Sequence, residues 1–173
     1  MARIAYNDMT NLPPDLAEEL AKRPNFNLYR MLANGGSAAL GYLRMGSALR
    51  FDALLDPVAR ELLILRTGSL CEAAYELDHH QSMAADMGIS DDKIRAAVDV
   101  GATSPVFDEF ETALLRFVEE VVVDGKASEA AFAELAGFYS NEELIETTLL
   151  TGFYMLTSRF LQTFDMDLDG LSA

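Results

Sequence analysis

Apolar residues recur along this chain at the spacing of helices, not at the strict alternation of strands. Leu40, Leu43, Met45 and Leu49 predict a helix over residues 37–51, with Arg44 and Arg50 available to water. Phe110, Leu114, Phe117, Val118 and Val121 form one stripe over residues 107–123, closed by Asp124 and Gly125. The single β-prone run, Val121 to Val123, is short and embedded in that helical stripe.

Punctuation between the stripes supplies the ends. Pro13 and Pro14 precede a helix over residues 15–23, which Pro24 stops, and Phe26, Tyr29, Met31 and Leu32 mark a second short helix before Asn34, Gly35 and Gly36. Asp56 followed by Pro57 reads as an N-cap with proline in the first turn. Gly68 and Ser69 predict the break between this helix and the next, which runs to Gly88. Ser90, Asp91 and Asp92 open a helix through Val100, and Gly101 ends it. Ser128 opens another, reaching Tyr139, and Ser140 with Glu143 has capping-box spacing before a long final helix reaching Phe164. Residues 1–12 read as a poorly ordered arm, and the acidic stretch with Gly170 as a frayed tail. The sum is eight or nine helical segments and an all-α fold.

At 173 residues the chain suits one domain with a self-sufficient core, residues 1–50 being an extension around a smaller helical centre. A formal charge of −15 repels phosphate backbones and anionic lipid surfaces, so neither nucleic acid nor membrane is expected as a partner. Residues 144–164 are rich in apolar side chains but contain Glu146 and Arg159, which fits a core or subunit-interface helix better than a membrane span. The final helix is apolar over more than one face (Leu149, Leu150, Phe153, Tyr154, Met155, Leu156, Phe160, Leu161), which leads us to expect a homo-oligomer. The N-terminus lacks the apolar core of a signal peptide, so the expected location is cytoplasmic.

Candidate chemistry concentrates between Arg60 and Met87, which holds both histidines and the one cysteine. Glu72, Glu76 and His80 follow at steps of four, so on one helix they climb a single face, while His79 points elsewhere by about 100°. Glu76 beside His80 is a carboxylate-imidazole pair suited to proton transfer near neutral pH, and Glu61 reaches the same ring if the two helices fold back. The same spacing also describes an ordinary surface contact, with Glu61 paired to Arg60 or Arg66. Glu76 and His79 have the Glu-x-x-His spacing of di-iron bundles, but there is no third histidine for a second copy, so no metal is expected. Cys71 has an acidic neighbour, Glu72, that disfavours a thiolate. Tyr75 lies one turn after Cys71, and both are candidates to line a substrate pocket.

The residues Arg60-Glu61-Leu62, Cys71, the run Tyr75-Glu76-Leu77-Asp78-His79-His80, Ala84 and Met87-Gly88-Ile89-Ser90 together resemble the carboxymuconolactone decarboxylase family, which includes alkyl hydroperoxidase D. The likeness is best over residues 55–125. It implies an alkyl hydroperoxidase D-like helical domain that assembles into dimers, trimers or hexamers, without a cofactor. In the hydroperoxidase branch a relay glutamate precedes a Cys-x-x-Cys helix. Aligned on His80, the glutamate falls on Glu61 and the two cysteines on Ala73 and Glu76. Cys71 stands two residues out of register, so dithiol peroxidase chemistry is not expected. The resemblance implies catalysis by His80 with Glu61 and Glu76: a proton moved to or from a carbon beside a carbonyl, in a decarboxylation or a related lyase or isomerase step on a small ring-derived acid or lactone. A peroxidase, or a helical assembly protein without catalysis, is the alternative.

Overall fold

The computed structural model describes residues 1–170, and among these the chain forms nine α-helices, one short π-helical stretch and no strand. The all-α expectation is met. The helices are α1 (Pro14–Ala21), α2 (Asn27–Leu32), α3 (Gly36–Ser47), α4 (Pro57–Leu70), α5 (Ala74–Asp86), α6 (Asp91–Asp99), α7 (Glu109–Val123), α8 (Glu129–Leu135) and α9 (Asn141–Thr163), with the π-helical stretch over Ala48–Asp52.

Contacts divide the chain into two compact units, Met1–Asp52 with Phe160–Ala173, and Ala53–Arg159. In the first, α1 packs on α3, and Leu16, Leu20, Met31, Leu32 and Leu43 are buried. The helix expected to run unbroken over residues 37–51 widens after Ser47. The Ser47 hydroxyl donates to the Leu43 carbonyl at 3.1 Å, and Arg23 donates to the same carbonyl at 3.2 Å. Side chains that compete for a ladder carbonyl disturb the helix there, and a wider turn follows.

Residues 1–12 are not the loose arm expected of them. The Arg3 amide donates to the Phe164 carbonyl at 2.9 Å and the Asn7 amide to the Arg30 carbonyl at 3.1 Å. The acidic tail likewise has partners. The Asp167 amide donates to the Tyr6 hydroxyl at 3.0 Å, and the Asp169 carboxylate accepts from the Asn27 amide at 2.7 Å. The rest of the predicted tail, residues 171–173, lies outside the described residues.

The second unit is built around α4, which packs against α5, α6 and α7. Its Leu62, Leu63, Ile64 and Leu65 are fully buried, and a helix apolar on every side belongs at the centre of a core. Leu62 and Leu65 meet Ala84, Ile89, Ile94, Ala97, Phe107 and Leu115 in one cluster. Local chemistry sets most of the helix ends. Asp56 accepts from the amides of Val58 and Ala59, Ser90 from Lys93, and Ser128 from Ala131, as their sequence positions predict. Ser140 and Glu143 bond reciprocally at the start of α9, as the capping-box spacing requires. Helix α7 has a further capping box, Asp108 with Glu111, and so starts at Glu109 instead of Phe107.

The α4–α5 turn is where expectation and structure part. Gly68 and Ser69 do not break the helix, which continues to Leu70. The reversal comes at Cys71, Glu72 and Ala73, with Glu72 in the left-handed region at φ 57°. Gly68 serves instead as a contact point: a side-chain carbon there would lie 3.5 Å from Cβ of Glu76 and from Leu77. Its lack of a side chain lets α5 lie close against α4. Glu72 therefore stands in the turn, exposed, and not on the face shared by Glu76 and His80.

Candidate active site

Folding α5 back on α4 sets His80 between two carboxylates. Nδ1 of His80 lies 2.6 Å from Oε2 of Glu61, and Nε2 lies 3.5 Å from Oε2 of Glu76. All three side chains are buried, at 0% exposure for Glu61, 4% for His80 and 5% for Glu76. An ordinary surface pair is thereby excluded. Glu61 takes the histidine as its partner, while Arg66 donates from Nε to Glu119 at 2.8 Å.

The two contacts differ in kind. At 2.6 Å the Glu61 bond has the length of a charge-assisted hydrogen bond, in which the Nδ1–H donates to the carboxylate. That bond selects the tautomer and holds the ring plane. The Glu76 contact exceeds the usual hydrogen-bond range and is the looser of the two. The second oxygen of Glu61, Oε1, is buried and has no hydrogen-bond partner.

A residue that sequence reasoning assigned only to an apolar face completes the setting. Tyr154 of α9 presents its ring to His80 at 5.2 Å between centroids and 83° between planes, the edge-to-face arrangement favoured by aromatic quadrupoles. Thr147, Thr151, Tyr154 and Ser158 recur at helical spacing on the buried side of α9. That polar line within an apolar helix is the signal that marks it. Thr147 and Thr151 satisfy their hydroxyls on the carbonyls one turn earlier, at 2.7 and 2.8 Å.

Cys71 and Tyr75 both lie in buried positions near the turn. The Tyr75 ring lies 4.7 Å from that of His79, and Arg159 donates to the Cys71 carbonyl at 3.3 Å. Burial pushes the Cys71 thiol above its ordinary value, against the opposing influence of Arg159 and the Ser158 hydroxyl. A protonated, enclosed thiol is a poor nucleophile. Among the described residues no group of three or more His, Cys, Asp or Glu side chains is arranged to hold a metal ion. No helix among them is long and apolar enough to cross a membrane.

The all-helical fold is that of alkyl hydroperoxidase D-like proteins. Residues 37–120 match the sequence model of the carboxymuconolactone decarboxylase family. It is 30% identical over 118 residues to the uncharacterized protein YnjA of Escherichia coli (strain K12). That match spans 68% of this chain and 64% of the relative's own length. The fold is similar to that of a peroxidase-related protein from Ralstonia eutropha JMP134 with an alkylhydroperoxidase AhpD core, at a TM-score of 0.84 and 18% identity over 98% of this chain and 93% of that one. It is also similar to a cysteine-to-alanine variant of the debrominase Bmp8 in complex with 2,3,4-tribromopyrrole, at a TM-score of 0.75 and 20% identity over 98% and 91% of the two chains.

Proposed function

We propose that this protein is a carboxymuconolactone decarboxylase-like enzyme that moves a proton to or from a carbon beside a carbonyl in a small ring-derived carboxylic acid or lactone. The buried 2.6 Å bond between Glu61 and His80, with Glu76 on the opposite ring nitrogen, is the observation that carries it. A relay needs one group that holds the imidazole and another that exchanges protons through it. Glu61, fully enclosed and tightly bonded, is the holding group. Glu76, at the looser contact, is the exchanging one.

In a decarboxylation the bond from the ring carbon to the carboxylate breaks, carbon dioxide leaves, and the electron pair spreads into the neighbouring carbonyl as a dienolate. The acid form of the Glu76–His80 pair then delivers its proton to that carbon, and solvent restores it. In an isomerisation the same pair first removes a proton from the carbon. Cys71 and Tyr75 line the approach in this reading. Dithiol peroxidase chemistry is not proposed, because Ala73 and Glu76 occupy the positions where the resemblance places the two sulfurs. A brominated pyrrole bound to a protein of the same fold supports a small ring compound as the class of ligand.

The test is turnover of ring-derived lactones and acids in deuterium oxide, followed by proton magnetic resonance. The expected result is deuterium at the carbon beside the carbonyl, with His80→Ala slowing the reaction by about 10²- to 10⁴-fold. Turnover of a substrate at an unchanged rate in His80→Ala would refute the assignment.

A further inference from the structure

We infer that Tyr154 is a positioning residue: its ring stops the His80 imidazole from turning about its own Cβ–Cγ bond, and so keeps Nδ1 on Glu61 and Nε2 towards Glu76. Its consequence for turnover rests on the proton-transfer reading; its consequence for the ring does not. A histidine ring has a broad, roughly two-fold torsion at that bond. A half-turn puts carbon where each nitrogen had been, and neither carboxylate then faces an atom that can carry a proton. The Glu61 bond, at 2.6 Å, holds one nitrogen. The Glu76 contact, at 3.5 Å, is too long to hold the other. Smaller rotations are only lightly opposed by a single bond, since a hydrogen bond tolerates about 30° of misalignment.

Tyr154 supplies the further restraint. Its ring lies 5.2 Å from the imidazole and at 83° to it. In a perpendicular pair, rotation of the imidazole either drives it into the phenol ring or pulls it off the contact, and both directions cost energy. Tyr154 is itself confined. It is 3% exposed, it meets the ring of Phe153 at 5.7 Å and 78°, and Leu150 and Ser158, one turn to either side on α9, are fully enclosed. The restraint is a matter of ring against ring, so it requires the aromatic ring of Tyr154 and not its hydroxyl.

Proton–nitrogen magnetic resonance of the full chain, with isotope-labelled histidine and no substrate, tests the restraint. The chain holds two histidines, and His79, on the same helix and half-buried, is the internal reference. The wild type is expected to show one His80 tautomer, with a low-field Nδ1–H that exchanges slowly with solvent. Tyr154→Leu speeds that exchange about tenfold, the scale of such a ring contact, and leaves His79 unchanged. Tyr154→Phe keeps the slow exchange. Phe117→Leu, which removes a buried ring from α7, is the control for lost packing and also keeps it. For a lactone or acid that the wild type turns over, Tyr154→Leu lowers kcat about tenfold at unchanged KM, and Tyr154→Phe restores it. The spectra need no substrate, so a failure of the proton-transfer reading leaves them decisive for the ring. An unchanged His80 signal or an unchanged kcat in Tyr154→Leu, a Tyr154→Phe spectrum as altered as that of Tyr154→Leu, or an equal change in Phe117→Leu would each overturn the inference.

Discussion

Glu61 of α4 and His80 of α5, 19 residues apart in the chain, meet in the interior through one 2.6 Å bond from Nδ1 to Oε2. The bond makes a cost and a capability inseparable. A buried imidazole N–H without an acceptor is expensive, so the residue that prepares the ring for chemistry also stabilises the fold.

Replacement of Glu61 separates the two roles. Glu61→Gln retains an acceptor for Nδ1–H but not the charge, and is expected to keep most of the stability while losing activity. Glu61→Ala leaves the buried donor unsatisfied and is expected to cost about 1–3 kcal/mol as well. Urea unfolding beside turnover measures both. Equal stability of the alanine and glutamine variants would contradict the account.

Gly101 ends α6 at φ 83°, where a side-chain carbon would run into the Glu119 carboxylate and the Arg66 guanidinium. That ion pair joins α4 to α7, and Oε1 of Glu119 also accepts the Ala102 amide at 2.8 Å. Gly101→Ala combines backbone strain with displacement of the pair, for an expected loss of about 1–3 kcal/mol. Gly125, also left-handed at φ 80° but with nothing within 4 Å of an added carbon, is the control and should lose less on the same change. Thermal melting of the two variants decides between crowding and strain alone.

Asp108 and Glu111 cap α7 reciprocally, at 2.8 Å from the Glu111 amide and 3.0 Å from the Asp108 amide. Asp108→Ala is expected to destabilise by about 1 kcal/mol and Asp108→Ser by less. Glu111→Ala should cost more, because Glu111 also pairs with Lys93 at 2.5 Å. Denaturant midpoints for the three variants give the order.

The Cys71 thiol, raised by burial, is expected to react with a disulfide reagent near pH 8 far more slowly than a free cysteine, and to gain the ordinary rate on unfolding. The linkage has a definite sign. The folded pKa lies above the unfolded one, so the contribution to stability is intact below the ordinary thiol value of 9.0 and is lost as pH rises towards the folded value. Cys71→Ser should remove that alkaline dependence. Its retained turnover would agree with a mechanism without sulfur chemistry, and a fast-reacting native thiol would contradict the burial argument.

Residues written beside one another determined what depends on neighbours: the helical periods, the absence of strand alternation, and the caps at Asp56, Ser90, Ser128 and Ser140. Those features rest on bonds spanning three or four residues. Glu61 and His80 were legible as candidates because imidazole and carboxylate are the side chains that proton transfer requires, and Glu76 because it stands one turn before the ring. The meeting of Glu61 and His80 was legible only on the condition that the two helices fold back, since it depends on the direction of the chain after Cys71. The turn at Glu72, the close approach at Gly68 and the edge-to-face contact between Tyr154 and His80 were decided by packing between helices distant in sequence. Local spacing carries no record of such contacts, because each is set by how far two helices can approach before their side chains collide.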